Sequence, residues 1–166
     1  MHFRAIIARF GALFIAALLF AASPADAHDF KLGDLHIEHP WSRETPAGAK
    51  IAVGYLVIKN GSSTPDRLVS ATADIAGKVE FHEMSMTDGV MTMRPLDSGV
   101  EIPANGEVRF EPGGYHLMFK ELKRPPVEGE TFAATLTFEK AGTVSVEFAV
   151  DAMGGDDHGN HGNHGG

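Results

Sequence analysis

The chain contains no cysteine among its 166 residues. Without thiols it forms no disulfide framework and offers no thiolate to a metal ion. A soft metal ion in this protein would therefore have to be bound by the thioether of methionine or by imidazole.

Basic residues are also few, with 14 Lys and Arg against 22 Asp and Glu, and the formal net charge is −8. This charge argues against a nucleic-acid partner, because phosphate backbones attract basic surfaces. The GxSxG and HExxH motifs of hydrolases are absent, and no pair of carboxylates lies in a sequence context that would indicate hydrolysis. We expect a protein that is not an enzyme and has no catalytic residues.

Long apolar runs are missing after the N-terminal segment. That segment has Arg4 and Arg9, then an apolar run over 10–22, then the small residues Ala25 and Ala27 around Asp26. This order predicts a secretory signal peptide over 1–27, and hence a periplasmic protein that begins at His28. The alternative is an uncleaved anchor, although the run is short for a membrane span.

The remaining chain alternates short apolar or β-branched runs with turn residues, among them Asn60-Gly61 and Asp88-Gly89. No segment has a helical pattern. We predict one all-β domain over 28–153, a sandwich or a barrel. The expected strands lie at 34–39, 49–60, 66–74, 77–86, 90–96, 107–111, 115–121, 131–139 and 143–150.

Methionine and histidine are concentrated in two stretches, 81–93 and 115–118, and four of the seven methionines fall within ten residues. Thioether and imidazole together suit Cu(I), a soft cation. The Asp88-Gly89 pair predicts a two-residue hairpin loop with Thr87 facing Val90. In this register Met86 lies opposite Met91 and Met84 opposite Met93, with His82 diagonal to Met93. A three-residue loop would instead place Met93 across from Glu83.

Strand alternation separates these residues from the apolar ones. Phe81 shares one face with Val79, and His82 shares the other with Glu80 and Met84. His116 and Met118 likewise alternate with Tyr115, Leu117 and Phe119. The pattern predicts an exposed metal site formed by His82, Met93, His116 and Met118. Met84, Met86 and Met91 then either flank this site, where they shield or guide the ion, or simply pack at its edge.

These residues resemble the periplasmic copper chaperone family PCu(A)C and its pattern H(M)x10Mx21HxM. Ten residues separate His82 from Met93, and His116-Leu117-Met118 supplies HxM. The gap from Met93 to His116 holds 22 residues, one more than the pattern, and Glu83 replaces the optional methionine. The likeness extends over about 34–150, including His39-Pro40-Trp41-Ser42-Arg43.

The resemblance implies a cupredoxin-like Greek-key β-sandwich with a surface Cu(I) site. It also implies delivery of copper for the Cu(A) centre of cytochrome c oxidase, to the Cu(A) domain of subunit II directly or with a Sco-type thiol protein. We expect a monomer that meets the membrane only through its partner.

The tail over 154–166 has no large apolar residue, so we expect a flexible extension. His158, His161 and His164 are spaced by three and offer nitrogen donors, which suit Cu(II). We therefore hypothesise that the tail captures Cu(II) and raises local copper near the Cu(I) site, the alternative being an inert solubilising tail. Deletion of 154–166 followed by Cu(II) titration separates the two. Two other functions remain open from sequence alone, a copper-sequestering protein for tolerance and a copper redox protein, although a blue-copper site would need a cysteine.

Overall fold

The computed structural model describes residues 29–154, and this part of the chain is built of β-strands and turns. The predicted signal peptide over 1–27 and the tail residues 155–166, with His158, His161 and His164, lie outside the described residues. Within 29–154 no helix is long and apolar enough to cross a membrane. The strands are β1 (Phe30–Leu32), β2 (Leu35–Arg43), β3 (Ile51–Asn60), β4 (Asp66–Ala73), β5 (Lys78–Thr87), β6 (Val90–Pro95), β7 (Val100–Ile102), β8 (Gly106–Phe110), β9 (Tyr115–Lys120), β10 (Thr131–Phe138) and β11 (Gly142–Asp151).

The strands form one continuous hydrogen-bonded path in the order β6-β5-β9-β8-β3-β2-β11-β10-β4-β7, with β1 beside β2 and an additional pairing of β9 with β3. Most neighbours are antiparallel, whereas β11 runs parallel to β2 and β8 to β9. The path folds over, so that β4 lies against β5, and β7 against β8 and β3. Two layers result, and the predicted all-β sandwich is confirmed.

The core lies between these layers and collects the apolar side of each alternating strand. On β10 every second residue, from Phe132 to Phe138, is buried. Phe119, Phe132 and Phe148 meet with ring centroids 5.1–5.4 Å apart. Gly54 allows this packing, because a Cβ atom there would lie 2.6 Å from the Phe119 ring.

All nine strands expected from the sequence are present, with ends displaced by a few residues. The strand predicted over 34–39 was too short at its C-terminal end, because β2 continues through Pro40 to Arg43. His39 has a φ of 47° and the register with β3 shifts between Glu38 and Trp41, so a local irregularity accommodates the proline inside the strand. β1 and β7 were not predicted, and each has only three residues.

Candidate metal centre

The two histidines of the predicted site lie side by side on neighbouring strands. In the register of β5 and β9, His82 is the partner of His116, and Glu80 is the partner of Met118. The imidazole centroids are 5.7 Å apart and the ring planes are inclined by 31°. Two imidazoles and the Met118 thioether therefore point from the same face of the sheet, in adjacent rows.

The hairpin of β5 and β6 has the predicted register. Thr87 pairs with Val90, Met86 with Met91, and Met84 with Met93. Asp88 and Gly89 have φ values of 52° and 78°, the backbone of a type I′ turn. The next pair on the same face places Pro95 opposite His82, so Met93 is diagonal to His82, as predicted.

The expectation that the site is exposed was wrong for three of its four residues. His82, His116 and Met118 retain only 8%, 5% and 9% of their accessible surface. Strand alternation gave the correct face, but β5 and β9 have neighbours on both sides, and Val53 of β3 lies opposite Met118. Met93 on the outermost strand β6 remains 49% exposed. The site is therefore a buried pocket of donors with one exposed thioether at its rim.

Glu80 determines which nitrogen of His82 carries the proton. Its carboxylate lies 2.9 Å from His82 Nε2, and also pairs with Lys78 at 2.7 Å and Lys120 at 3.2 Å. Hydrogen bonds from Lys78, then from His82 and Lys120, lower the pKa of Glu80 to about 2. An ionised carboxylate only accepts, so Nε2 of His82 donates to it.

His82 Nδ1 is left with a lone pair in the neutral ring. This atom is buried and, within residues 29–154, has no hydrogen-bond partner. Burial of a polar atom without a partner is costly. An ion bound at Nδ1 would remove this cost, and the Nε2 hydrogen bond to Glu80 would hold the ring in place, as is usual for a metal-bound histidine.

The His116 ring is oriented by the main chain. Its Nδ1 lies 3.2 Å from the Gly114 carbonyl oxygen, which can only accept, so Nδ1 carries the proton and Nε2 the lone pair. Burial lowers the pKa of His116, against a smaller opposing effect of the Gly114 hydrogen bond, and the nearby His82 lowers it further. The ring is therefore neutral at pH 7 and available to a metal.

The donor set favours a soft ion. In the described part of the chain, no three His, Asp or Glu side chains are grouped to hold a metal. A site here must therefore combine the two imidazoles with thioethers, which suits Cu(I) better than harder cations. The residues present fit that ion.

Sequence reasoning missed the residues that orient the ligands. Glu80 was placed on the ligand face, but its hydrogen bond to His82 was not anticipated, nor were the roles of Lys78 and Lys120. The available signal was the i, i+2 spacing of Glu80 and His82 on one strand face. The Gly114 carbonyl could not be found in this way, because main-chain acceptors have no sequence signature.

Comparison with known proteins agrees with this architecture. The model of the LpqE-like lipoprotein family matches residues 35–150. The chain belongs to the LpqE-like family. The chain is also similar to the lipoprotein Lxx21020 of Leifsonia xyli subsp. xyli, with 31% identity over 121 residues, which cover 73% of this chain and 72% of that protein.

The likeness to PCuAC proteins is confirmed by solved structures. The copper-bound PCuAC domain from PmoF2 is 30% identical with a TM-score of 0.66, over 75% of this chain and 98% of that one. The solution structure of CuI-DR1885 from Deinococcus radiodurans is 26% identical with a TM-score of 0.55, over 79% and 85% of the two chains. This LpqE-like protein therefore has the PCuAC fold.

Proposed function

We propose that this LpqE-like protein is a periplasmic copper carrier that binds Cu(I) through His82, Met93, His116 and Met118. The observation that carries the proposal is the His82–His116 pair. Each ring has one nitrogen engaged by a protein acceptor, and His82 Nδ1 is buried without a partner. The copper-bound PCuAC domain from PmoF2 and CuI-DR1885 support the choice of ion, because both share this fold.

The proposed site suits a carrier because it can hold the copper ion and still be reached by a partner. Three donors are buried, which protects Cu(I) from water, while Met93 at the rim is half exposed. Thioethers are neutral and take up no proton near neutral pH, and burial lowers the pKa of His116, so these ligands need no deprotonation before they bind. An incoming partner ligand could displace the exposed thioether first and the imidazoles afterwards.

The proposed destination is the Cu(A) centre of cytochrome c oxidase, reached through the Cu(A) domain of subunit II or a Sco-type thiol protein. Thiolate ligands of such a partner bind Cu(I) more strongly than thioethers, so transfer would be downhill. The lipoprotein description of the family and the N-terminal segment over 1–27 support an exported protein. The described residues offer no cysteine with which to retain the ion.

Anaerobic Cu(I) binding in competition with a chelator tests the ligand set. We expect Met93→Leu and His116→Ala each to weaken binding by at least about tenfold, a loss typical of disrupted metal sites. Met93→Leu should leave the thermal melt nearly unchanged, because Met93 is half exposed. Met153→Leu is the matched control, since Met153 is also half exposed but follows the last strand.

X-ray absorption of the first equivalent should show both sulfur and nitrogen neighbours, and copper bound without sulfur would contradict the proposal.

Incubation of the loaded protein with an apo Cu(A) domain or a Sco-type protein then separates a carrier from a copper-sequestering protein. A carrier transfers the ion, whereas a sequestering protein retains it.

A further inference from the structure

The hairpin of β5 and β6 extends beyond the body of the sheet. β5 pairs with β9 only as far as Glu83, opposite Tyr115, and the last main-chain contact on this side is from Met84 N to Gly114 O at 3.0 Å. From there to the turn, β5 pairs with β6 alone. We call residues 84–93 the ribbon. It is two strands wide, and its residues are exposed except for Met84, which is partly buried.

Four methionines occupy one face of this ribbon in two directly opposed pairs, Met84 with Met93 and Met86 with Met91. Residues that flank a two-residue loop form a hydrogen-bonded pair, and pair types alternate along the strands. Both methionine pairs therefore take the non-hydrogen-bonded positions, where opposed side chains are closest. The other face of the ribbon carries Ser85, Thr87, Val90 and Thr92.

Core packing does not explain these methionines. Met86 is 68% exposed and Met91 is 54% exposed, and neither belongs to the hydrophobic core. Methionine usually fills irregular gaps inside a protein. Here the hairpin face has three consecutive cross-strand pairs, of which the first is His82 with Pro95 and the other two are the methionine pairs. Apart from the Pro95 ring, these pairs present only side chains with donor atoms suited to Cu(I).

The rows also have a useful spacing. Successive side chains on one strand face are about 6–7 Å apart, so the Met86–Met91 pair lies about 13 Å from the His82 row. An ion bound by the His82 and His116 imidazoles would lie one row from Met93 and one row from Met118, but two rows from the Met86–Met91 pair. Met93 already belongs to the inner site proposed above, which leaves Met84, Met86 and Met91 as three neighbouring thioethers without an assigned ion.

We propose that Met84, Met86 and Met91 form a second, sulfur-only Cu(I) site on the ribbon, outside the His82–His116 pocket. Three thioethers satisfy Cu(I), which accepts low coordination numbers because its d shell is filled. The site is open to solvent, so it exchanges copper readily, and Met84 faces Met93 across the ribbon. An ion bound here has Met93 opposite its ligand Met84, and it passes to the inner ligands by exchange at this Met84–Met93 pair. This last step rests on the proposed function, whereas the outer site does not.

The test is an anaerobic Cu(I) titration of the full chain, with the methionine methyl groups labelled with carbon-13 and followed by NMR. We expect the first equivalent to shift Met93 and Met118, and the second to shift Met84, Met86 and Met91, with Met153 unmoved as an internal reference. X-ray absorption of the second equivalent, taken as a difference from the first, should show sulfur neighbours only.

The double variant Met86→Leu/Met91→Leu should lose the second equivalent and keep the first, whereas His116→Ala should do the reverse. Met153→Leu should keep both. A double variant that still takes up two equivalents with unchanged methyl shifts would overturn the outer site. So would a second equivalent with nitrogen neighbours and no ribbon shifts, because it would belong to histidines elsewhere in the chain.

The two proposals fail separately. If the ribbon methyls respond while Met93 and Met118 do not, and His116→Ala binds as many equivalents as the wild type, the inner site is wrong and the outer site stands. If only Met93 and Met118 respond at any Cu(I) level, the outer site is wrong and the carrier proposal stands.

Discussion

At the residue scale, the hydrogen bond from His82 to Glu80 selects the ring nitrogen that is left free for the proposed ion. The Glu80 carboxylate accepts from Nε2, so the lone pair is directed to Nδ1. With a pKa of about 2, Glu80 stays ionised under all physiological conditions. Lys78 and Lys120 hold the same carboxylate, and the ring orientation is therefore set before any ion arrives.

Glu80→Ala should weaken Cu(I) binding at the inner site by about tenfold to a hundredfold, the range for loss of an acceptor behind a metal-bound histidine. The ring then loses its fixed tautomer, and nitrogen-15 shifts of His82 should show a mixture of both forms. Glu80→Gln keeps an acceptor for Nε2 and should lose less.

Glu38→Ala is the control for Glu80, because it breaks an ion pair with Lys59 on strands β2 and β3. It should leave both readouts unchanged. Equal Cu(I) affinity of Glu80→Ala and the wild type would show that the hydrogen bond does not orient the ligand.

At the element scale, the turn after β5 sets the positions of all the methionines on the ribbon. A slip of one residue in a β-pair moves every side chain to the other face. Asp88 and Gly89 prevent this slip, because both have positive φ and only a two-residue loop uses them in this way. A Cβ atom at Gly89 would meet nothing within 4 Å, so the glycine is required by backbone conformation and not by space.

Gly89→Val should therefore destabilise the hairpin by about 1–2 kcal/mol, since a β-branched residue is strained at this φ. We expect the Met84–Met93 and Met86–Met91 contacts to be lost between labelled methyl groups, and Cu(I) binding to weaken. Gly89→Asn is the matched control at the same position, because asparagine adopts positive φ readily. Identical methyl contacts in both variants would contradict this account.

The elements differ in how far the sequence predicts them. Asp88-Gly89 is a strong local signal, so the hairpin register and the ligand face of β5 followed directly from it. The burial of His82, His116 and Met118 did not, because it depends on which strands flank β5 and β9. That order joins residues far apart in the chain, and alternation within one strand contains no information about it.

The shortest strands were also beyond sequence reasoning. β1 and β7 have three residues each, too few for an alternating pattern, and they exist because β2 and β4 offer edges to pair with. Resemblance to the PCu(A)C family gave the four expected ligands but not the groups that orient them. Glu80 and the Gly114 carbonyl became apparent only from the hydrogen bonds.

At the scale of the whole molecule, Asp66 joins strands that are distant in sequence. Its side chain is buried and accepts three main-chain hydrogen bonds, from Arg67, Lys140 and Ala141, at 2.7–2.9 Å. The start of β4 is thereby fixed to the turn between β10 and β11. Burial alone would raise the pKa of Asp66, but these three donors outweigh it and lower the pKa below its ordinary value.

The linkage to stability has a definite sign. A carboxyl whose pKa is lower in the folded state stabilises the fold above its unfolded pKa of about 3.9, and the contribution is lost as pH falls through the folded value. Asp66→Asn should cost about 1–3 kcal/mol at pH 7, because the amide cannot replace a charged acceptor of three donors.

Urea unfolding at several pH values measures this effect. The wild type should lose more stability than Asp66→Asn between pH 5 and pH 2, so the two curves converge in acid. Glu128→Gln, at an exposed residue, is the control and should follow the wild type. If the free energy of unfolding falls in parallel for the wild type and Asp66→Asn, ionisation of Asp66 does not cause the loss of stability at low pH.

The place of β6 at the end of the strand path has a consequence for the cargo itself. Of the four proposed inner ligands, Met93 belongs to this outermost strand, whereas His82, His116 and Met118 belong to β5 and β9. A bound ion would thus link the edge strand β6 to the inner strands β5 and β9. Amide hydrogen exchange in β6 would therefore slow when the ion binds. Release of the ion would remove this link, so β6 would be more mobile and more sensitive to protease in the empty protein than in the loaded one. A partner could distinguish the two forms by this difference alone.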